Sequence, residues 1–126
     1  MHHLFLVMLG GAVGAGARHL VGRAALGIWG PGFPVGTLAV NVVGGFAMGL
    51  LAAWLASRAS GGEALRYLLG VGVLGGFTTF SAFSLETASM LQRGEFATAL
   101  FYILASVVLS IGALFAGLQV SRMVAA

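Results

Sequence analysis

The sequence predicts an all-α integral membrane protein, one unit of four membrane-spanning helices over residues 1–126. Three observations carry that reading. Hydrophobic residues make up 60% of the chain and charged residues 7%, far from the usage of domains that fold in water. The apolar residues gather into four stretches near the roughly 20 residues needed to cross a hydrocarbon core. Short segments rich in glycine, proline, serine and charge separate them.

The first span covers residues 4–22 and is interrupted by Arg18. With no basic leader and no clean A-x-A-like cleavage site, it reads as a span and not as a signal peptide. A Pro-Gly loop from Gly27 to Pro34 leads to the second span, residues 35–56, which holds no charge. A Ser-Gly loop from Ser57 to Glu63 precedes the third span, residues 66–91, with Glu86 inside it. The turn Gln92-Arg93-Gly94-Glu95 opens the uncharged fourth span, residues 96–121. Gly10-x-x-x-Gly14 and Gly45-x-x-x-Gly49 match the small-xxx-small spacing that lets helix backbones approach closely.

The third span departs from a plain lipid-facing helix. Residues 70–86 read GVGVLGGFTTFSAFSLE, apolar enough for a membrane yet carrying a glycine pair followed by Thr78, Thr79 and Ser81. In hydrocarbon every backbone polar group needs an internal partner, so the pattern predicts a helix break that lines a cavity or meets protein.

The formal net charge is +3. Its arginines are dispersed near segment ends, as interface anchors are, and not clustered as a nucleic-acid surface requires. Cysteine is absent, which excludes a disulfide framework. His2, His3 and His19 lack the i, i+4 spacing of a helix-face zinc site. Four spans put both termini on one side of the membrane. Arg58, Arg66 and Arg122 then fall on that side and Arg18, Arg23 and Arg93 on the other, a balance of three against three. With no excess to set orientation, either the tie is chance or copies insert both ways and pair as an antiparallel, dual-topology homodimer.

Several polar groups lie within the spans. Asn41, with Thr37 one turn earlier, must find partners for its amide; helix–helix glue and a pore or substrate role are both open. Tyr102, Ser106 and Ser110 recur at i, i+4 and i+8, giving either a hydrophilic seam or serines bonded back to their own helix. Glu86 and Arg18 are ionisable groups inside spans, and so functional candidates, but both sit near expected interfaces where anchoring is an equal reading. Phe77, Phe80 and Phe83 recur every three residues, a spacing usual for packing. Beside the hydroxyls of Thr79 and Ser81, the rings of Phe80 and Phe83 could also turn their positive edges to an anion.

The chain resembles the Fluc (CrcB) family of fluoride channels over essentially its whole length. GGAVGAGARH at residues 10–19, GTLAVNVVGGFAMG at 36–49 and, most specifically, GGFTTFSAFSLE at 75–86 carry the likeness. The resemblance implies a channel for passive fluoride efflux across the cell inner membrane or plasma membrane, protecting against fluoride toxicity, formed by an antiparallel homodimer with two pores. It implies that Asn41 lines the pore as a donor, that Phe80 and Phe83 offer ring edges to fluoride, and that Tyr102, Ser106 and Ser110 form a polar track. It also implies a structural sodium ion at the dimer centre, held by the backbone carbonyls of Gly75 and Thr78. Ala82 stands where the family often has a hydroxyl.

Two other classes fit the sequence less well. A proton-coupled exporter normally needs a membrane-embedded carboxylate, and the first two spans contain none. A non-transporting assembly subunit accounts for the small-residue spacing but not for Asn41 or the seryl seam. No nucleophile–base constellation points to an enzyme, and no phosphate loop points to a nucleotide.

Overall fold

A computed structural model describes residues 2–58 and 60–125; Ala59, within the expected Ser57–Glu63 loop, lies outside the described residues. The described chain is helical throughout, with four helical runs long and apolar enough to cross a membrane. They are α1 (His2–Trp29), α2 (Val35–Ala56), the composite run Glu63–Gln92, and α6 (Phe96–Ala125). The composite run consists of α3 (Glu63–Leu65), a π-helical stretch (Arg66–Leu74), α4 (Gly75–Phe77) and α5 (Phe80–Gln92).

Three spans exceed their expected bounds, the third running from Glu63 to Gln92 against the expected 66–91. α1 continues past residue 22 through Arg23-Ala-Ala-Leu-Gly-Ile-Trp and stops where Gly30 adopts φ +76°, its N–H donating to Leu26 O at 2.9 Å. That is a helix end closed by a left-handed glycine. α6 likewise runs beyond residue 121, its last turn carrying Arg122. At about 1.5 Å per residue, 28 residues of α1 make a rod of about 42 Å, so Arg18 lies well inside the helix and not at its end.

Glycines set the helix pairing. Between α1 and the composite run, a Cβ on Gly14 would stand 2.8 Å from Phe77 N, and one on Gly76 would stand 2.7 Å from Gly11 O. Between α2 and α6, a Cβ on Gly45 would meet Ser110 O at 2.8 Å and one on Gly117 would meet Leu50 N at 2.8 Å. The two small-xxx-small motifs thus serve different pairs, the first joining α1 to the composite run and the second joining α2 to α6. Away from these seams the helices carry exposed apolar residues such as Phe5, Leu9, Leu104, Val108 and Phe115, a surface suited to hydrocarbon.

Where α5 meets α6, Met90, Ala99 and Tyr102 form a buried cluster, with Phe33, Leu38 and Phe83 packed around it. At the terminal end, the arginines meet aromatic rings, as interface anchors do. Arg58 lies 4.7 Å from the centre of Trp54 and Arg66 4.8 Å from that of Tyr67, and His3 stacks on the same Tyr67 ring at 4.3 Å. In the turn between α5 and α6, Arg93 donates from Nε and Nη2 to Glu95 at 3.2 Å each. That hydrogen bond holds the Glu95 carboxyl below its ordinary pKa and raises Arg93.

Gly49→Ala would force its methyl against Leu118 N at 2.9 Å, whereas a methyl at Gly112 meets nothing within 4 Å. Thermal unfolding of the detergent-solubilised protein should show G49A destabilised by about 1–3 kcal/mol. G112A should stay within about 0.5 kcal/mol of the parent.

Candidate functional site

Two residues separate α4 from α5, and both are extended: Thr78 has φ −85°, ψ 159° and Thr79 has φ −151°, ψ 122°. The glycine pair just upstream and β-branched threonines here explain why the helix yields at this point. Leaving the helix strips backbone groups of their partners, and side chains from three elements replace them. Asn41 on α2 makes a paired bond, its Oδ1 accepting from Thr79 N–H at 2.8 Å and its Nδ2 donating to Thr79 O at 3.0 Å. Arg18 on α1 donates from Nε to Gly76 O at 3.0 Å. Thr79 itself caps α5, its hydroxyl accepting from Ala82 N–H at 3.2 Å.

Arg18 thus reaches one of the last carbonyls of the upstream helical run, where a positive charge also complements the helix dipole. Asn41 ties α2 to the backbone where the composite run leaves the helix between Phe77 and Phe80. Its amide retains a second N–H and a second lone pair beyond those two bonds.

One turn along α2, Thr37 donates to Glu86 Oε2 at 2.8 Å, and from α6 Tyr102 donates to Glu86 Oε1 at 2.8 Å. Glu86 is therefore the junction of α2, α5 and α6. Tyr102 is fully buried, and its hydroxyl is engaged by Glu86.

Ser106 and Ser110 are the exception. Thr78, Ser84, Thr87 and Ser89 each donate to the carbonyl four residues back. Ser106 Oγ and Ser110 Oγ are buried with no hydrogen-bond partner, so they are not bonded back to their own helix. Both residues line a groove of about 380 Å³ whose other walls include Asn41, Thr79, Phe80 and Phe83. Phe80 and Phe83 lie on α5, their ring centres 5.5 Å apart, while Phe77 belongs to α4 and does not line the groove. Phe80 is 78% exposed, the groove being open on its side. Ser81 reaches Thr79 Oγ1 at 3.3 Å and lies outside the groove lining. Ala82 lines a separate cleft of about 270 Å³ with Arg18, His19 and Arg23.

The structure thus gathers Asn41, Thr79, Phe80, Phe83, Ser106 and Ser110 at one groove and places Tyr102 and Glu86 above it. Sequence reasoning missed Phe33, a lone aromatic between Gly32 and Pro34 whose ring meets Tyr102 edge-on with centres 5.4 Å apart. Its only signal was an aromatic residue in an otherwise small and turn-forming loop.

Among the described residues, no cluster of histidine and carboxylate ligands could hold a metal. Side-chain hydrogen bonds end on Leu74 O, Gly76 O and Thr79 O, and among the described residues none ends on Gly75 O or Thr78 O. Those two oxygens are of the kind a hard cation takes.

Comparison with known proteins agrees with the motifs. The model of one protein family, described as "CrcB-like protein, Camphor Resistance (CrcB)", matches residues 5–118. The chain is 60% identical over 125 residues to the fluoride-specific ion channel FluC of Caulobacter vibrioides (strain NA1000 / CB15N), with 98% of each chain covered. It is 56% identical over 122 residues to the protein of that name from Sphingopyxis alaskensis, with 97% of each covered. With that from Paracoccus denitrificans it shares 58% identity over 123 residues, again covering 97% of each.

Asn41→Ala leaves Thr79 N–H and O without partners, each loss costing about 1–3 kcal/mol. Chemical unfolding in detergent should show N41A destabilised by about 2–4 kcal/mol. Exposed Ser84, changed to Ala, should stay within about 0.5 kcal/mol.

Proposed function

This chain belongs to the CrcB-like family, and on that footing we propose that it is a fluoride-selective channel that lets fluoride leave the cell passively and so limits its toxicity. It is a multi-pass protein of the cell membrane and not an enzyme. The observation that carries the proposal is the pair of buried, unpartnered hydroxyls of Ser106 and Ser110, in one groove with Asn41, Phe80 and Phe83.

Fluoride is small and strongly hydrated, so a pore must replace water with donors without gripping the ion. Neutral donors suit that demand better than an arginine. Ser106 and Ser110 have hydroxyls uncommitted, Asn41 has a spare N–H, and the rings of Phe80 and Phe83 have positive edges. The N-terminus of α5, where Phe80 begins the helix, adds the positive end of its dipole beside the groove. Thr79 and Ser81 support the site from the break, Thr79 by holding Asn41 and capping α5. Tyr102 and Glu86 continue the polar track at the end of the groove nearer Thr37.

The functional unit we propose is an antiparallel, dual-topology homodimer with two pores. The groove's open side and the exposure of Phe80 support a second copy as its missing wall, and the balance of three arginines on each side removes a fixed orientation. At the break in the third span, Gly75 and Thr78 would hold a structural sodium ion through their carbonyl oxygens, which a two-fold axis would double to four. A bound sodium would supply positive charge and tie the two breaks together.

The test is fluoride efflux from liposomes, read with a fluoride electrode. The parent protein should release fluoride without energy input, and chloride far more slowly. Ser106→Ala with Ser110→Ala removes both free donors and should lower the rate by one to two orders of magnitude, at about 0.5–1.5 kcal/mol per lost bond. No passive release from folded, dimeric parent protein, or equal release of chloride, would defeat the proposal.

A further inference from the structure

We propose that Phe33, in the loop between α1 and α2, is a positioning residue for the anion path, acting through Tyr102 on the rings that border the groove. This rests on the channel reading above. Four rings form a chain from the loop to the groove. Phe33 meets Tyr102 at 5.4 Å with planes at 83°, Tyr102 meets Phe83 at 5.2 Å, and Phe83 meets Phe80 at 5.5 Å. Phe33 also touches Phe101, ring centres 6.0 Å apart, so its ring is braced from a second direction on α6.

The loop is built to hold that ring in place. Gly30 turns the chain with φ +76°, Pro31 and Pro34 restrict its backbone, and Val35 N–H donates to Phe33 O at 2.8 Å. A ring carried on so stiff a segment transmits its position to Tyr102. The Phe33–Tyr102 geometry is edge-to-face, in which the ring of one is set against the edge of the other. Tyr102 has two tasks that depend on where its ring sits: its hydroxyl bonds Glu86 Oε1 at 2.8 Å, and its ring limits the tilt of Phe83. Phe33 also lines the cleft of about 400 Å³ at this end with Thr37, Glu86 and Arg93, the opening through which an ion would reach the polar track. An apolar residue of similar bulk would fill the space but would not hold the ring by its edge.

The experiment compares Phe33→Leu and Phe33→Tyr in liposomes by fluoride efflux, with melting temperature and dimer elution measured alongside. F33L should lower efflux about five- to tenfold with both of those unchanged, and F33Y, which keeps the ring, should restore it to within twofold. In a Tyr102→Leu background, F33L should change efflux less than twofold, because the residue through which Phe33 acts is gone. F33L at the parental rate, or fold-losses from F33L and Y102L that multiply, overturns the inference. If F33L fails to assemble, Phe33→Met against Phe33→Trp gives the same comparison of chain against ring. A readout free of transport separates this inference from the channel reading. Carbon-13 resonances of the Phe83 ring, assigned by substitution, should shift in F33L and not in F33L placed in the Tyr102→Leu background, since Tyr102 is the ring that meets both Phe33 and Phe83. An unchanged Phe83 signal overturns the inference whatever ion the protein carries, whereas a parent protein that releases no fluoride overturns only the channel reading.

Discussion

The paired hydrogen bond between the Asn41 amide and the Thr79 peptide is the constraint on which the rest of the structure depends. A bilayer offers no water to an unsatisfied peptide group, so an extended residue in mid-span persists only if another side chain stands in for the missing helical turn. Asn41 is suited to this because its amide presents an acceptor and a donor side by side, matching the N–H and C=O of one residue. Arg18 and the Thr79 hydroxyl complete the accounting on either side, at Gly76 O and Ala82 N. Three elements, α1, α2 and the composite run, are thereby tied to one point. A change at any of these side chains is felt first by the backbone and only then by any ligand.

Close helix packing makes that point reachable. Asparagine is short, so α2 must pass near the extended pair, and Gly44 provides the room: a Cβ there would collide with the Thr78 side chain. On the other side of α2, Gly45 and Gly49 seat against the backbone of α6, which brings Ser110 beside the same groove. The glycines thus determine the groove's width as well as the stability of the bundle. Glu86 performs the matching task at the next level, drawing one hydroxyl from α2 and one from α6 onto a single carboxylate.

What was legible in the sequence follows from which physical effects are local. Membrane class and four spans are consequences of composition and run length, so they could be read directly. Asn41, Ser106, Ser110, Phe80 and Phe83 stood out because polar groups in apolar runs are costly and aromatic rings recur at fixed spacing. Their partners did not stand out. Thr37 and Glu86 lie 49 residues apart, and Arg18 and Gly76 lie 58 apart, and no period within one helix encodes such meetings. The π-helical turns of Arg66–Leu74 were equally hidden, since propensity does not distinguish i→i+5 bonding from the ordinary kind. The end of α1 is not legible because Gly22 and Gly27 resemble stop signals, while the glycine that closes the helix is Gly30.

Hydroxyl donors in the spans are not equally available. Most hydroxyls in the spans are consumed locally: Thr78, Ser84, Thr87 and Ser89 return to their own helices, and Thr37 and Tyr102 serve Glu86. A hydroxyl already bonded gains little by turning to a passing anion, because it must give up one partner to gain the other. An ion that sheds water therefore finds the best exchange where buried donors have no prior commitment. Among the buried side chains described, that condition is met by Ser106 and Ser110 alone. Their register, one turn apart on α6, spaces two such donors about 6 Å along the helix axis, and in the proposed channel that spacing would let an ion pass from one to the next. Asn41 stands between the two cases: two of its bonding positions hold the backbone together, and its amide keeps a second N–H on a residue that also lines the groove.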